Sequence, residues 1–165
     1  MLRWTDFLEV DAVRLSLEAR ERVGVVHELA GLMAARARVP AKELTEHLLA
    51  RERLGSTAMT GGVAVPHCRL IGVPRIVTCV GIHQEGLDFG EANGGRVRVF
   101  VGMVSPPDPA GLHLNVLARI GALLRNTRLR EALLTAPSAS ALRALLVCVE
   151  DAHVSQRSEA AVARW

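Results

Sequence analysis

The residues that could do chemistry are concentrated in one stretch of the chain, LLARERLGSTAMTGGVAVPH, which ends on His67. A neutral imidazole is a good nucleophile near neutral pH, because its unperturbed pKa lies close to that range. Arg51 supplies a cation, Ser56 and Thr57 supply hydroxyls, and Gly61–Gly62 lets backbone amides approach a ligand. These groups would surround an anion carried on the ring. Residue types alone favour an ordinary strand-end histidine with a local hydrogen bond, and a nucleophilic histidine is the functional alternative.

Two short elements must position these groups. The helix predicted over residues 41–53 stops near Gly55 and carries Arg51 in its last turn, where a cation suits the negative helix end. Val63–Val65 is short, apolar and partly β-branched, which predicts a buried strand that Pro66 ends. The histidine then follows at a strand end, a common location for sites in α/β proteins.

The same stretch resembles the signature of the fructose/mannitol-type enzyme IIA domains of the bacterial phosphotransferase system, and most of all their nitrogen-related, regulatory branch. The positions in step with that signature are Arg51, Glu52, Ser56, Thr57, Gly62, Val63, Ala64, Val65, Pro66 and His67. The family's phosphoryl-accepting histidine falls on His67 and its active-site arginine on Arg51. Ala58 and Thr60 replace glycines of the family's loop, so the loop backbone and its phosphate affinity can differ. Cys68 follows the histidine where a small residue is usual.

A second histidine, His113, falls in the first turn of a helix predicted over residues 112–125. The positive helix end would depress its pKa and keep the ring neutral. The pair His113-Leu114 matches a His-Leu pair that supplies the second active-site histidine of the enzyme IIA family. The resemblance implies that His113 hydrogen-bonds the phosphoryl group; a helix-start histidine with only local bonds is the alternative.

The resemblance covers about residues 5–149 and implies an α/β (α+β) fold, a three-layer sandwich with a central mixed β-sheet of about four to five strands flanked by helices. It implies a protein of the phosphoenolpyruvate-dependent phosphotransferase system that a histidine phosphocarrier protein phosphorylates on His67. Arg51 and His113 would complete the catalytic set. The expected phosphate-binding residues are Thr57, Ser56 and Gly62. We expect Nδ1–H of His67 to bond a carbonyl and Nε2 to carry the phosphoryl group.

Three functions stay open on the same fold. In the nitrogen branch the phosphorylated and free forms would bind a regulatory target protein differently, whereas in the transport branch the phosphoryl group would pass to a permease B domain and then to sugar. The lack of a fused B or C domain favours the regulatory branch. The third function is a non-catalytic interaction module, and its best support is the changed loop at Ala58 and Thr60. A docking partner would use apolar surface near the site, for which Met59, Met103 and the Pro106-Pro107 loop are candidates.

The extent of the resemblance implies one domain, residues 1–150, and the Ser-, Arg- and Ala-rich composition after it indicates a C-terminal tail, residues 151–165. Periodicity predicts the other elements. Strands are predicted at Val13–Leu17, Ile76–Ile82 and Val97–Val104, and helices at residues 19–36, 128–134 and 139–149. An Asn93-Gly94-Gly95 turn favours a hairpin between the last two strands. The predicted helix 112–125 would bury a stripe of Leu114, Leu117, Ala118, Gly121 and Leu124, and His83 would lie exposed in a polar turn. The tail is expected to be frayed or loosely docked.

Composition narrows the possible functions. The chain has 165 residues, of which 50% are apolar, enough for one globular core. Its net charge of +3 is spread along the sequence without a basic patch or stacking rings, which disfavours nucleic-acid binding. The cysteines form no metal-type pair, and a metal-dependent hydrolase using His67, His113 and His83 would lack HxH or HxxxH spacing. No metal, cofactor, signal peptide or membrane insertion is expected, and the expected location is the cytoplasm.

Overall fold

The computed structural model describes residues 2–90, 95–108 and 111–163, so most of the predicted Asn93-Gly94-Gly95 turn lies outside the described residues. A short 3-10 helix, Trp4–Phe7, opens the chain. The strands are β1 (Leu8–Arg14), β2 (Ala58–Met59), β3 (Val63–Ala64), β4 (His67–Arg69), β5 (Val77–Leu87) and β6 (Val97–Ser105). The helices are α1 (Arg22–Ala37), α2 (Ala41–Arg53), α3 (Leu112–Leu124), α4 (Thr127–Leu134) and α5 (Ala139–Val162). The predicted helix over residues 41–53 is confirmed with both of its ends.

The sheet is mixed, with the strand order β1-β5-β6-β3-β2 and with β4 also paired to β6. β1 runs parallel to β5, β5 antiparallel to β6, and both β3 and β4 parallel to β6. This confirms the predicted mixed sheet. Among the described residues it has six strands, one more than expected at most, because β2 and β4 are pieces of only two and three residues, too short for a periodic signal.

Helices cover both faces of the sheet. On one face the Cys79 thiol lies 3.6 Å from the carbonyl oxygen of Leu29 in α1. The neighbouring Thr78 points to the opposite face, because successive side chains of a strand alternate. There its hydroxyl accepts a hydrogen bond from Trp4 Nε1 at 3.2 Å, and the Trp4 backbone amide donates to Glu150 of α5 at 2.7 Å. The result is the predicted three-layer arrangement.

The predicted boundaries at the two chain ends are wrong. β1 begins at Leu8 and ends at Arg14, so most of the predicted strand Val13–Leu17 follows the observed strand. At the other end, α5 continues through the predicted frayed segment as far as Val162. Apolar periodicity fades there, but Ala, Glu, Gln and Arg are good helix formers and carry the helix on. The division of the chain at residue 150 stays a prediction.

Two predictions of burial are also wrong. The buried stripe of α3 consists of His113, Val116, Ile120, Leu123 and Leu124, and Leu114 is 60% exposed. The stripe is rotated because His113 turns inward at the first turn. His83 lies within β5 and is buried. Both ring nitrogens have partners there: Nε2 contacts the Ala19 carbonyl at 2.9 Å, and Nδ1 accepts from the Gly86 amide at 2.8 Å. No helix among the described residues is both long and apolar enough to cross a bilayer.

Candidate functional site

His67 is the first residue of β4, and its ring is held by its own chain. It pairs with Met103 of β6, whose backbone amide donates to the Pro66 carbonyl at 3.0 Å. Nδ1 of His67 lies 2.7 Å from the carbonyl oxygen of Val65. A carbonyl only accepts, so Nδ1 must carry the ring proton. Nε2 is then left with its lone pair, which is the atom that a nucleophilic histidine needs.

The surroundings of His67 keep its ring neutral. The pKa is lowered from its ordinary value of 6.5, chiefly because the ring is half-buried and the charged form loses hydration. The nearby cations Arg51 and Arg69 lower it further, while the Val65 contact and the Glu52 carboxylate act in the opposite direction. Near neutral pH the ring therefore presents an unprotonated Nε2.

Arg51 lies in the last turn of α2, as predicted. Its Nη1 donates to the Gly55 carbonyl just past the helix end at 3.0 Å. The charge of Arg51 also lies near enough to His67 to lower the pKa of that ring. Arg51 can therefore bind the end of α2 and act on His67 at the same time.

His113 lies beside His67, with ring centroids 5.6 Å apart and planes inclined at 56°. Burial lowers the pKa of His113 to about 4, and the charges of Arg69 and His67 add to the effect while Asp108 opposes it. The predicted direction is right, but burial and not the helix end is the largest cause. Nδ1 of His113 is 2.5 Å from the hydroxyl of Ser105, which is fully buried.

The three predicted catalytic residues share one open cleft of about 530 Å³. It is lined by His47, Arg51, Leu54, His67, Cys68, Arg69, His113, Leu114 and Leu117. No carboxylate is among these lining residues. The cleft therefore combines two arginines and three histidines with apolar side chains, a composition suited to an anionic group on a protein partner.

Sequence reasoning missed Arg69. Residues two apart on a strand share a face, so Arg69 follows His67 onto the cleft side, whereas Cys68 between them is buried. That spacing was a usable signal. Burial also raises the pKa of the Cys68 thiol to about 12, which leaves it protonated and a poor competitor for His67.

The predicted hydroxyl ligands do not line the cleft. The Thr57 hydroxyl donates to the buried carboxylate of Glu52, and the Thr57 amide donates to the same carboxylate at 3.1 Å. The Ser56 hydroxyl accepts from the Ala58 amide at 3.2 Å. In this structure these residues shape the loop after α2, and their contact with phosphate stays a prediction.

The glycine pair shapes the turn between β2 and β3. Gly61 and Gly62 have φ values of +97° and +76°, a region that favours glycine. The Gly62 carbonyl accepts from the amides of Arg98 and Val99 at 2.9 and 3.1 Å, and a Cβ on Gly62 would lie 3.0 Å from the Arg96 carbonyl oxygen. Gly62 therefore joins the turn to β6 through its carbonyl, and its contact with phosphate stays a prediction.

The predicted docking residues need one correction. Met103 is fully buried on β6 and cannot contact a partner, so that prediction is wrong. Met59 is half-buried and Pro107 exposed. Larger apolar exposure lies on the cleft itself, where Leu54 is 85% and Leu114 60% exposed.

Comparison with known proteins gives the family of the chain. Residues 6–147 match the family model described as "Phosphoenolpyruvate-dependent sugar phosphotransferase system, EIIA 2", and the chain belongs to that family. Within it, the chain is 31% identical over 153 residues to a nitrogen regulatory protein of Pseudomonas aeruginosa, covering 92% of this chain and 99% of the relative.

Solved structures give the same result. The crystal structure of the nitrogen regulatory protein IIA-Ntr from Neisseria meningitidis superposes with a TM-score of 0.82 at 29% identity, over 86% of this chain and 97% of that one. The mannitol IIA of Escherichia coli has a TM-score of 0.70 at 19% identity, over 84% and 97%, and shows the shared fold alone. The resemblance stated from the sequence is thereby confirmed.

Proposed function

We propose that this protein accepts a phosphoryl group on Nε2 of His67 from a phosphorylated histidine phosphocarrier protein and acts in the nitrogen-regulatory branch of the phosphotransferase system. The observation that carries the proposal is the 2.7 Å contact of His67 Nδ1 with the Val65 carbonyl, in a cleft shared with Arg51 and His113. This contact prepares Nε2 as the nucleophile before any partner arrives.

The transfer exchanges one P–N bond for another. The lone pair of His67 Nε2 forms a bond to phosphorus while the bond to the carrier's histidine nitrogen breaks, and that nitrogen keeps the bonding pair. No proton has to leave Nε2, because the ring proton is on Nδ1. The transition state is loose and its charge lies on the equatorial oxygens, so positioning and fixed positive charge do most of the catalysis.

Each neighbour of His67 has a part in that catalysis. Arg51 and Arg69 supply cations for the phosphoryl oxygens, and His113 supplies a hydrogen bond. Thr57 could reach the phosphate only by giving up its hydrogen bond to Glu52. We therefore assign Thr57 first to holding the loop that follows Arg51.

The regulatory branch is proposed from the relatives. Those that match over nearly their whole length are named nitrogen regulatory proteins, at 31% and 30% identity. The phosphorylated and free forms would then differ by an anion in a cleft lined by cations, a change that a target protein can sense. Delivery of the phosphoryl group to an isolated permease B domain would instead favour the transport branch.

Labelling with phosphoenolpyruvate and the general phosphotransfer proteins tests the proposal. The wild-type protein should gain one acid-labile phosphate by intact mass, and His67→Ala should gain none. The matched control is His47→Ala, which removes an exposed histidine from the same cleft and should still be labelled. Labelling of the His67 variant would remove that residue from its role, and an unlabelled wild type would support the non-catalytic interaction module.

A further inference from the structure

The second histidine of the cleft is attached to the sheet through one hydroxyl. Ser105 is the last residue of β6, and its Oγ lies 2.5 Å from Nδ1 of His113 in the first turn of α3. The exposed fraction is 0% for Ser105 and 3% for His113, so water does not compete for this hydrogen bond. We propose that Ser105 is a positioning residue that fixes His113 as the tautomer with the proton on Nε2, making that N–H the donor to phosphoryl oxygens on His67.

The negative charge of the phosphoryl group that His113 has to bind decides which group donates in this hydrogen bond. A serine hydroxyl can donate to Nδ1 or accept from it. If Ser105 donates, the single ring proton of His113 is on Nε2 and can bind an anion. If Ser105 accepts, Nε2 of His113 presents a lone pair, which would repel the phosphoryl oxygens. The pKa of about 4 leaves the ring with only one proton at neutral pH, so the two arrangements exclude each other.

The backbone around Ser105 gives this hydrogen bond a fixed position relative to His67. Met103 of β6 pairs with His67, and Ser105, two residues on, pairs with Arg69. The Ser105 carbonyl also accepts from the Leu70 amide at 2.9 Å. One strand therefore sets the place of the nucleophile and, through a single hydroxyl, the orientation of the ring that assists it.

This inference rests on the function proposed above, but its first test does not. In protein labelled with ¹⁵N-histidine and not phosphorylated, two-bond ¹H–¹⁵N correlation spectra report the tautomer of each ring. The wild type should show His113 protonated on Nε2. Ser105→Ala should remove that preference and give a mixture of tautomers, and Ser105→Thr, which keeps the hydroxyl, should restore it.

The matched control removes another fully buried hydroxyl, one that does not line the cleft. Thr78 donates to the Phe7 carbonyl at 2.8 Å, and Thr78→Val should leave the His113 tautomer unchanged. In the labelling reaction, Ser105→Ala should slow transfer roughly tenfold, as expected for one lost hydrogen bond. Ser105→Thr should recover most of the rate.

Two results would overturn the proposal: a wild-type His113 protonated on Nδ1, or a folded Ser105→Ala protein whose His113 stays protonated on Nε2 alone. The first needs no variant, so it holds even where Ser105→Ala fails to fold. Failure of the proposed function has a different signature, because an unlabelled wild-type protein would leave the tautomer spectra unaffected.

Discussion

His67 combines a fixed ring with a low affinity for protons. The Val65 carbonyl holds Nδ1–H, while burial and the two arginines lower the pKa of the ring. Both effects leave a lone pair on Nε2, which a protonated ring would not have. The same arginines that attract an incoming phosphoryl group therefore also keep its acceptor in the reactive form.

Replacing Arg51 should separate its two roles. We expect Arg51→Ala to slow phosphoryl transfer by roughly 10²-fold, because a fixed cation near the developing charge is lost. The control is Arg53→Ala in the same last turn of α2, which is exposed and does not line the cleft. Single-turnover transfer from the phosphorylated carrier measures both. Equal rates of phosphoryl transfer in the two variants would show that Arg51 acts only as a cation at the helix end.

Residue types predicted the centre of the site better than its surroundings. His67, Arg51 and His113 were found by type, spacing and resemblance, and all three line one cleft. The true partner of Thr57 could not be found, because Glu52 occurs in a charged helix segment and nothing in the sequence marks it as buried. Its burial comes from tertiary packing around the loop.

At the scale of elements, β6 organises the site. It pairs with β5, β3 and β4, so it sets the positions of the nucleophile strand and of the turn before it. The long strands were predictable from their apolar runs, but β2 and β4 are too short to show alternation. The buried stripe of α3 was predicted wrongly because the first turn of the helix buries His113 and exposes Leu114. His113 contacts Ser105 of β6, and the sequence of α3 does not show that contact.

A buried carboxylate of α5 binds the N-terminal turn. Glu150 accepts from the amides of Trp4 and Thr5 and from the Thr5 hydroxyl, at 2.7, 3.1 and 2.7 Å. Glu150→Gln should lower the free energy of unfolding by about 1–3 kcal/mol, because an amide NH₂ would face donors that it cannot satisfy. Urea unfolding measures the change.

The control for this prediction is Glu159→Gln, an exposed position nine residues further along the same helix. It should change the free energy of unfolding by less than about 0.5 kcal/mol. A Glu150 variant as stable as this control would show that the carboxylate does not join α5 to the N-terminal turn.

At the scale of the whole molecule, the neutral histidines make stability depend on pH. The pKa values of His67 and His113 lie below 6.5 in the folded state. Above that pH both rings are neutral in the folded and unfolded states. As the pH falls below it, the unfolded chain binds protons that the folded protein does not, so stability decreases. The loss contributed by His113 continues to about pH 4.

Urea unfolding measured between pH 7.5 and pH 4.5 should show this dependence, because the rings of the unfolded chain gain their protons over roughly this range. Each ring contributes a slope of up to about 1.4 kcal/mol per pH unit. His113→Asn should flatten the curve below about pH 6, with the stability at the highest pH serving as the reference. An unchanged slope, or stability that rises as the pH falls, would contradict the lowered pKa values.

The overall architecture was within reach of the sequence, because the signature stretch identified a family whose fold is shared across low identity. The contact between distant segments was indicated only by the resemblance and could not be obtained from local patterns in the sequence. The pairing of His67 with His113 joins residues that are 46 positions apart and depends on β6 and α3 packing together. Local periodicity contains no information on such a contact.

The most direct test is to identify the atom that carries the phosphoryl group. The protein, labelled with ¹⁵N-histidine and phosphorylated from phosphoenolpyruvate through the general phosphotransfer proteins, should show phosphorus–nitrogen coupling at Nε2 of His67 and a proton retained on its Nδ1. Coupling at Nδ1 of His67, or at any nitrogen of His113, would contradict the central claim.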